Sequence, residues 1–575
     1  MPKNIWKDAS VKITRNSGFD KSFHSLGTPT VGTITPLLFD EVIPSSKTKI
    51  DCALAINLPP LAFDTFMRLS FDLEAIFVPT RLLMENYQYY FAQEPLRVYG
   101  GPNIDVCPPA MNFLNPLEQD AQGADVYTTS QKTVIRQFHA KFGVNSLADY
   151  LGLRQSQDWF ELAGNPSATG FGGQTISVLP FLAYHRAWQD LYRNQKVQNP
   201  CFFPRHSSSP ANTFAGRLAT SPFFTFDSST FLIVESATKS VNDSFFNLAD
   251  GVSLFDFRQR NWDFDPYTTA YTTPNITSPE GIQVGSVVQN QITIPQIRIA
   301  NKSQEFRDRN ALVGPNFVDQ LNVRYGANLS NSIAQRAICI GSASLPIYTS
   351  SVLQQAMDQA QSVGTNNPFS SVGAKYGQAY TDAKSFLCDF EAQEPGYIFV
   401  MGTLTPSACY ASGVARHFRR YIGPTSIVDM ANGLLEQVGP EAIPADEIMS
   451  TYGNPAPVPT FGYQDRYYSF KSRVDEVHGF FRAGNSLGSA VAQRVLQHTP
   501  QAGTLNSDFL EIKTTALDNV TAVTADVSQY GCQVDAYFRY FQTMPLHDFI
   551  LPSITDPAYE HGKPIHFKRG GYEIR

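Results

Sequence analysis

Residue types that could do covalent or metal chemistry are few in this chain, and their spacing is wrong for it. The pentapeptide GNSLG (484–488) matches the G-x-S-x-G nucleophile elbow and would make Ser486 a nucleophile. That device needs a central parallel strand before it and a helix after it. His498 also follows too soon for the Ser…Asp…His order, so a small-residue turn fits better. None of the ten histidines stands in H-E-x-x-H or zinc-ligand spacing. Asp256, Asp263 and Asp265 cluster in DFRQRNWDFD, where oxygen ligands could hold a hard cation. Arg258 and Arg260 in the same run offer those carboxylates simpler partners. There is no P-loop and no G-x-G-x-x-G fingerprint. The expectation is no catalytic residue, no metal site and no cofactor.

A second chemistry is better represented. Arg416, His417, Phe418, Arg419, Arg420 and Tyr421 form a basic-aromatic run. Guanidinium groups bind phosphate and aromatic rings stack on unpaired bases, so such a run suits single-stranded DNA without sequence preference. An interface patch or a solvated strand edge is the competing reading. The termini carry a similar argument through Lys3, Lys7, Lys12 and Arg15 at one end and Lys568 and Arg569 at the other.

The elements that would position these groups are mostly strands. Residues 33–78 read as strands; over 68–77, Leu69, Phe71, Leu73, Ala75 and Phe77 alternate with polar residues, which predicts one buried and one wet face. RLLMENYQYYFAQ (81–93) switches to helical spacing, a helix is expected near 131–152, and Phe181, Tyr184, Trp188 and Leu191 make a helical stripe. Residues 204–258 and 263–296 read as strand-and-loop insertions, 304–325 and 351–363 as helical, and 364–382 as loop. A helix is possible at 425–437. Strand patterns return at 386–406 and 463–481 and end at 533–541. No βαβ rhythm appears, which argues against a doubly wound domain.

Bulk properties narrow the function. The 575 residues carry a net charge of −7, so contact with nucleic acid must be local rather than spread over the surface. Aromatic residues reach 13%, more than a core alone needs, which favours protein contacts. Seven cysteines, none in a C-x-x-C pair, read as reduced and mostly buried thiols. No stretch is apolar for long enough to span a bilayer.

Six segments keep one order along the chain: VGTITPLLFDEVIPSSKTKIDCALAINLPPLAFDTFMRLSFDLEAIFVPTRLL (31–83), PFLAYHRAWQDLYRNQ (180–195), RNWDFDPYTT (260–269), QEFRDRNALVGPNFVDQLNVRYG (304–326), FGYQDRYYSFKSRVDEVHGFF (461–481) and QVDAYFRYFQTMPL (533–546). Together they resemble the major capsid proteins of the Microviridae, in the gokushovirus-like branch. The family-motif positions are Phe39, Asp40, Glu41, Val42, Pro79, Arg81, Phe461, Gly462, Tyr463, Gln464, Arg466 and Tyr467. The chain departs from the family pattern in Gln335–Gly341, which lacks a Pro-Glu pair, and in DPYTTAYTTPN (265–275).

The resemblance implies a mainly β fold, a single eight-stranded antiparallel jelly-roll β-barrel with long helical and loop insertions. It implies an interior-facing arm over 1–30, first jelly-roll strands with helical insertions in 31–200, and a surface insertion over 201–300 that could protrude. Further strands and insertions then fill 301–460, the last strands 461–550, and a basic tail 551–575. The implied role is a structural one: a T=1 shell of sixty copies around circular single-stranded DNA, assembled in a bacterial cytoplasm. Its partners would be other copies of itself, the packaged DNA, minor virion and assembly proteins, and a host receptor. A β-rich carbohydrate-binding protein or a glycoside hydrolase is the alternative; the lack of a secretion-type leader and of a paired-carboxylate site weighs against both.

Overall fold

The structure, a computed structural model, describes residues 17–62, 66, 68–84, 87–92, 108, 110–112, 142–153, 175–201, 225–227, 232–234, 252, 254–272, 298, 302, 335–353, 375–419, 440–450, 458–465, 467–496, 503–521 and 531–545. The fold is mainly β. Nine strands build one sheet: β1 (Ser17–Asp20), β2 (Phe23–Gly27), β3 (Thr35–Val42), β4 (Lys47–Asn57), β5 (Leu69–Pro79), β6 (Ile338–Leu353), β7 (Lys375–Glu391), β8 (Gly396–Pro406) and β9 (Gln533–Met544). Their order is β1-β9-β4-β7-β6-β5-β8-β3, with β2 also on β9, and every pairing is antiparallel.

Two long strands make this sheet curl into a half-barrel. β6 pairs with β5 through Ile347 and then, from Tyr348, with β7. β7 in turn leaves β6 at Tyr380 and continues along β4 to Glu391. Bulges between Cys339 and Gly341 and between Phe386 and Cys388 add local bending. At the first bulge the backbones come so close that a Cβ on Gly341 would lie 1.8 Å from the Leu387 carbonyl oxygen.

The concave side holds a core that draws on seven of the nine strands, β3 to β9, including Leu37, Ile50, Leu54, Phe71, Phe77, Val400, Phe538 and Tyr540. Each such side chain, fully buried, contributes roughly 2 kcal/mol of transfer free energy. On the other face of β5 and β8, helix α1 (Leu179–Leu191) packs Phe181, Tyr184 and Trp188 against Ile76, Val78, Phe399 and Met401. Proline starts that helix, and an Arg186–Asp190 ion pair at 2.7 Å braces it. The stripe read from the sequence is this buried face, although Leu191 ends in solvent contact. A third core gathers Tyr267, Tyr410, Ile443, Phe461, Tyr468 and Phe509.

Several local expectations need correcting. β5 alternates in sequence but is buried on both faces, because it lies between β6 and β8 and carries α1 on its second face. Its acidic Asp72 is held by Ser344 and Thr405 hydroxyls and by Arg260 from a distant loop. Residues 351–353, expected in a helix, end β6, and 375–382, expected in a loop, begin β7. Past Asp465 the segment 463–481 turns through a short helix at Tyr468–Lys471 and a 3-10 turn at Gly479–Phe481, with only two strand residues between them. The helices expected over 304–325 and 425–437 lie outside the described residues, as do half of that over 131–152, whose described part holds a short helix at Leu147–Tyr150, and most of that over 351–363 and of the insertion 201–300. The alternation at 533–541 holds throughout: Val534, Ala536, Phe538 and Tyr540 are buried and their neighbours exposed.

Candidate functional site

The basic-aromatic run begins in a 3-10 turn at Arg416–Arg419. Arg416 points inward. Its guanidinium meets Glu441 and Glu447, each at 3.2 Å, donates to the Ala442 carbonyl at 3.0 Å and lies over the Tyr468 ring. The Tyr468 hydroxyl donates to Glu447, whose side chain is 3% exposed. Burial pushes the Glu447 carboxyl above its ordinary range, against the opposing pull of Tyr468 and Arg416. Arg416 is therefore a clamp at the base of the run. The His417 and Phe418 rings lie 4.3 Å apart, tilted at 40°, and face solvent, Phe418 at 68% exposure. Arg420, Tyr421, Lys3, Lys7, Lys12, Arg15, Lys568 and Arg569 lie outside the described residues.

The motif positions are structural. Phe39 packs on Tyr397 and Phe399. Asp40 accepts from the Tyr540 hydroxyl at 2.6 Å and pairs with Lys21, so it ties β3 to β9 and to the link between β1 and β2. Glu41 is exposed and Val42 buried. Pro79 ends β5, and Arg81 beyond it pairs with Glu394 at 2.5 Å. Phe461 is in the third core, and Gly462 and Tyr463 lie where the backbone pairs with Tyr271. Gln464 donates to the Pro266 carbonyl at 2.8 Å and to Thr269 at 3.0 Å. Tyr467 takes the left-handed conformation, at φ 64°, that turns the chain into the short helix. Arg466 lies outside the described residues.

Catalytic chemistry gains nothing from the geometry. GNSLG lies in a run of tight turns, with Gly484 at φ +82° and the Gly488 amide donating to Asn485. Asp265 is occupied as a turn brace, accepting from the Tyr267 and Thr268 amides and from the Tyr410 hydroxyl. Among the described residues no group of three or more ligand-type side chains could hold a metal ion. Cys52, Cys201, Cys388 and Cys532 are buried free thiols, with burial raising Cys52, Cys388 and Cys532 to about 12. Cys339 is exposed.

Two arginines are buried, Arg258, read from the sequence as a carboxylate partner, and Arg494, which the sequence did not single out. Arg258 lies over Trp188 and donates to His185 Nδ1 at 2.8 Å, while His185 Nε2 faces the Leu254 carbonyl at 2.8 Å. Burial first, and the Arg258 charge second, hold that imidazole neutral. Arg494 is caged by Trp262, Tyr410 and Phe509 and donates to the Tyr410 hydroxyl. Only the apolar residues around each arginine in sequence hinted at these positions.

The site is thus a framework of locked polar joints rather than a reaction centre, and the comparisons agree. A family model described as "Capsid protein (F protein)" matches residues 9–101 and 158–550. The "Capsid protein VP1" of Chlamydia phage 1 is 21% identical, with 96% of this chain and 98% of the relative aligned. That of Bdellovibrio phage phiMH2K is 21% identical over 95% and 96%, and that of Spiroplasma virus 4 is 22% identical over 46% of each. The Microviridae resemblance read from the ordered motifs is borne out. The chain belongs to the F-protein family of phage capsid proteins, and its work is structural, not enzymatic.

Proposed function

We propose that the chain is the major subunit of a T=1 shell in which sixty copies enclose a circular single-stranded DNA genome, assembled in a bacterial cytoplasm with minor virion and assembly proteins. The observation that carries this reading is the curled antiparallel sheet, whose last strand lies between β4 and β1 and so draws both ends of the chain into one wall. An eight-stranded jelly roll is the barrel this sheet approximates. One interface repeated by symmetry lets modest contacts sum to a stable shell. DNA contact falls to Phe418, Arg419, Arg420, Tyr421 and the tail residues Lys568 and Arg569, through stacking and phosphate pairing. The insertion around 205–295 is the candidate host-facing protrusion.

The test is negative-stain electron microscopy of the expressed chain together with sedimentation, repeated with the phage's assembly proteins and DNA. Uniform icosahedral particles are the expected result. Small oligomers under every condition would overturn the shell reading.

A further inference from the structure

The half-barrel closes on itself by side chains and not by backbone. Lys21 and Tyr540 reach Asp40 at one point of the seam. Beyond it a cleft of about 1100 Å³ opens. It is bordered by β2, by Leu37–Phe39 of β3 and by residues 144–152. Among the described residues β2 pairs only with β9 and β3 only with β8, so two strand edges without a second partner meet this cleft. Leu26 at 77% exposure and Val144 at 67% stand on its rim, above buried Ile56 and Val534. Its charged lining is acidic: Asp149, Asp382 and Asp535 contribute carboxylates, His24 lies 3.3 Å from Asp535, and among the described residues it holds no lysine or arginine.

We infer that this cleft receives the N-terminal segment, residues 1–16, of a neighbouring copy of the chain as an added strand. An extended peptide gains main-chain hydrogen bonds at an open sheet edge and side-chain specificity from alternate residues. The segment MPKNIWKDASVKITRN is the complement of the cleft. It has Lys3, Lys7, Lys12 and Arg15 against a single acid, Asp8, and Val11 and Ile13 alternate with Lys12 and Thr14. The lysines expected from the sequence to meet DNA thus find their counter-charge on protein.

The distance between Ser17 and the cleft favours the neighbour over the same copy. Ser17 is paired with Met544, at one end of β9. The cleft lies at the opposite end, beside Val534 and Asp535. That is nine residues away, or about 30 Å of strand at roughly 3.3 Å per residue. A subunit's own arm would have to run back over that length, and we take this to favour a neighbour's arm. The inference rests on the shell reading only in needing a second copy.

The test uses the full chain with a photo-cross-linking phenylalanine analogue in place of Ile13. Isotopically light and heavy chains are mixed one to one before assembly, and gradient-purified particles are irradiated and digested. The expected product joins the arm to residues 23–28, 144–152 or 380–382, with about half of the products light-to-heavy, as random mixing dictates. A charge reversal, Asp382→Lys with Asp535→Lys, alters exposed positions only. It lowers the yield of that product about tenfold. Adding Lys7→Glu and Lys12→Glu to the same chain restores it. Cross-links to nucleic acid, to another surface or wholly within one chain overturn the inference. If no particles form, the shell reading fails separately. The same read-out is then taken on soluble subunits, where absence of light-to-heavy products at every concentration also overturns it.

Discussion

Arg416 shows how a side chain's role depends on partners far away in sequence. In RHFRRY it looks like one of several equivalent cations, but Glu441 and Glu447, 25 and 31 residues on, hold it as a joint. Arg416→Ala leaves the Glu447 carboxylate buried without its ion pair and is expected to cost about 3 kcal/mol. Phe418→Ala, at an exposed ring, should leave chemical denaturation unchanged while lowering the DNA content of particles; equal stability loss in both variants would contradict the division of roles. Glu447 also sets a pH dependence. Burial raises its folded pKa above the ordinary 4.5. In the window between those two values the native state keeps a proton that the unfolded chain has lost. This contribution to stability is complete below the ordinary value and declines as pH rises through the folded one. Thermal melts of Glu447→Gln between pH 4 and 7 should therefore show a shallower decline than the native chain. An unchanged slope would assign the pH response to another group.

Strands were legible in the sequence where one face meets solvent and the other the core, and were misread where that condition fails. β9 satisfies it and was placed from its alternation. β5 keeps the same alternation with both faces covered, because Asp72 and Glu74 are answered by Arg260, almost two hundred residues downstream. The start of β7, KYGQAYTD, reads as loop because its glycine and polar side chains suit an outer face beside β6. The bulge at Gly341 had no sequence signature beyond the glycine itself. Gly341→Ala is expected to disrupt the β6–β7 crossing, since backbone occupies the space for the methyl, and to yield insoluble protein. Gly152→Ala has open space and only the strain of φ +92°, so a loss of about 1 kcal/mol in a denaturation curve is expected. If the two substitutions cost the same, close approach is not what fixes Gly341.

For the whole molecule, the ordered motifs identified the family, while the cleft and the arginine cages required contacts that no local pattern encodes. The role of β9 gives a direct test of the architecture. A chain ending at Pro545 keeps all nine strands and should give the native circular-dichroism spectrum and melting transition, with less DNA retained if the tail binds it. A chain ending at Cys532 lacks the strand that joins β4 to β1 and β2 and should not fold. A cooperative melt from that shorter chain would show that the remaining strands are self-sufficient. The placement of β9 also has a consequence during synthesis. A ribosome conceals the most recently made residues of a nascent chain, and domains complete folding as they emerge. Here the wall cannot be completed until β9 is made and free, so β4, β1 and β2 wait for a strand synthesised long after them. A product of early termination then lacks the strand that completes the wall. Strand order thus makes the fold itself a check on chain length, because a chain without β9 cannot complete its sheet.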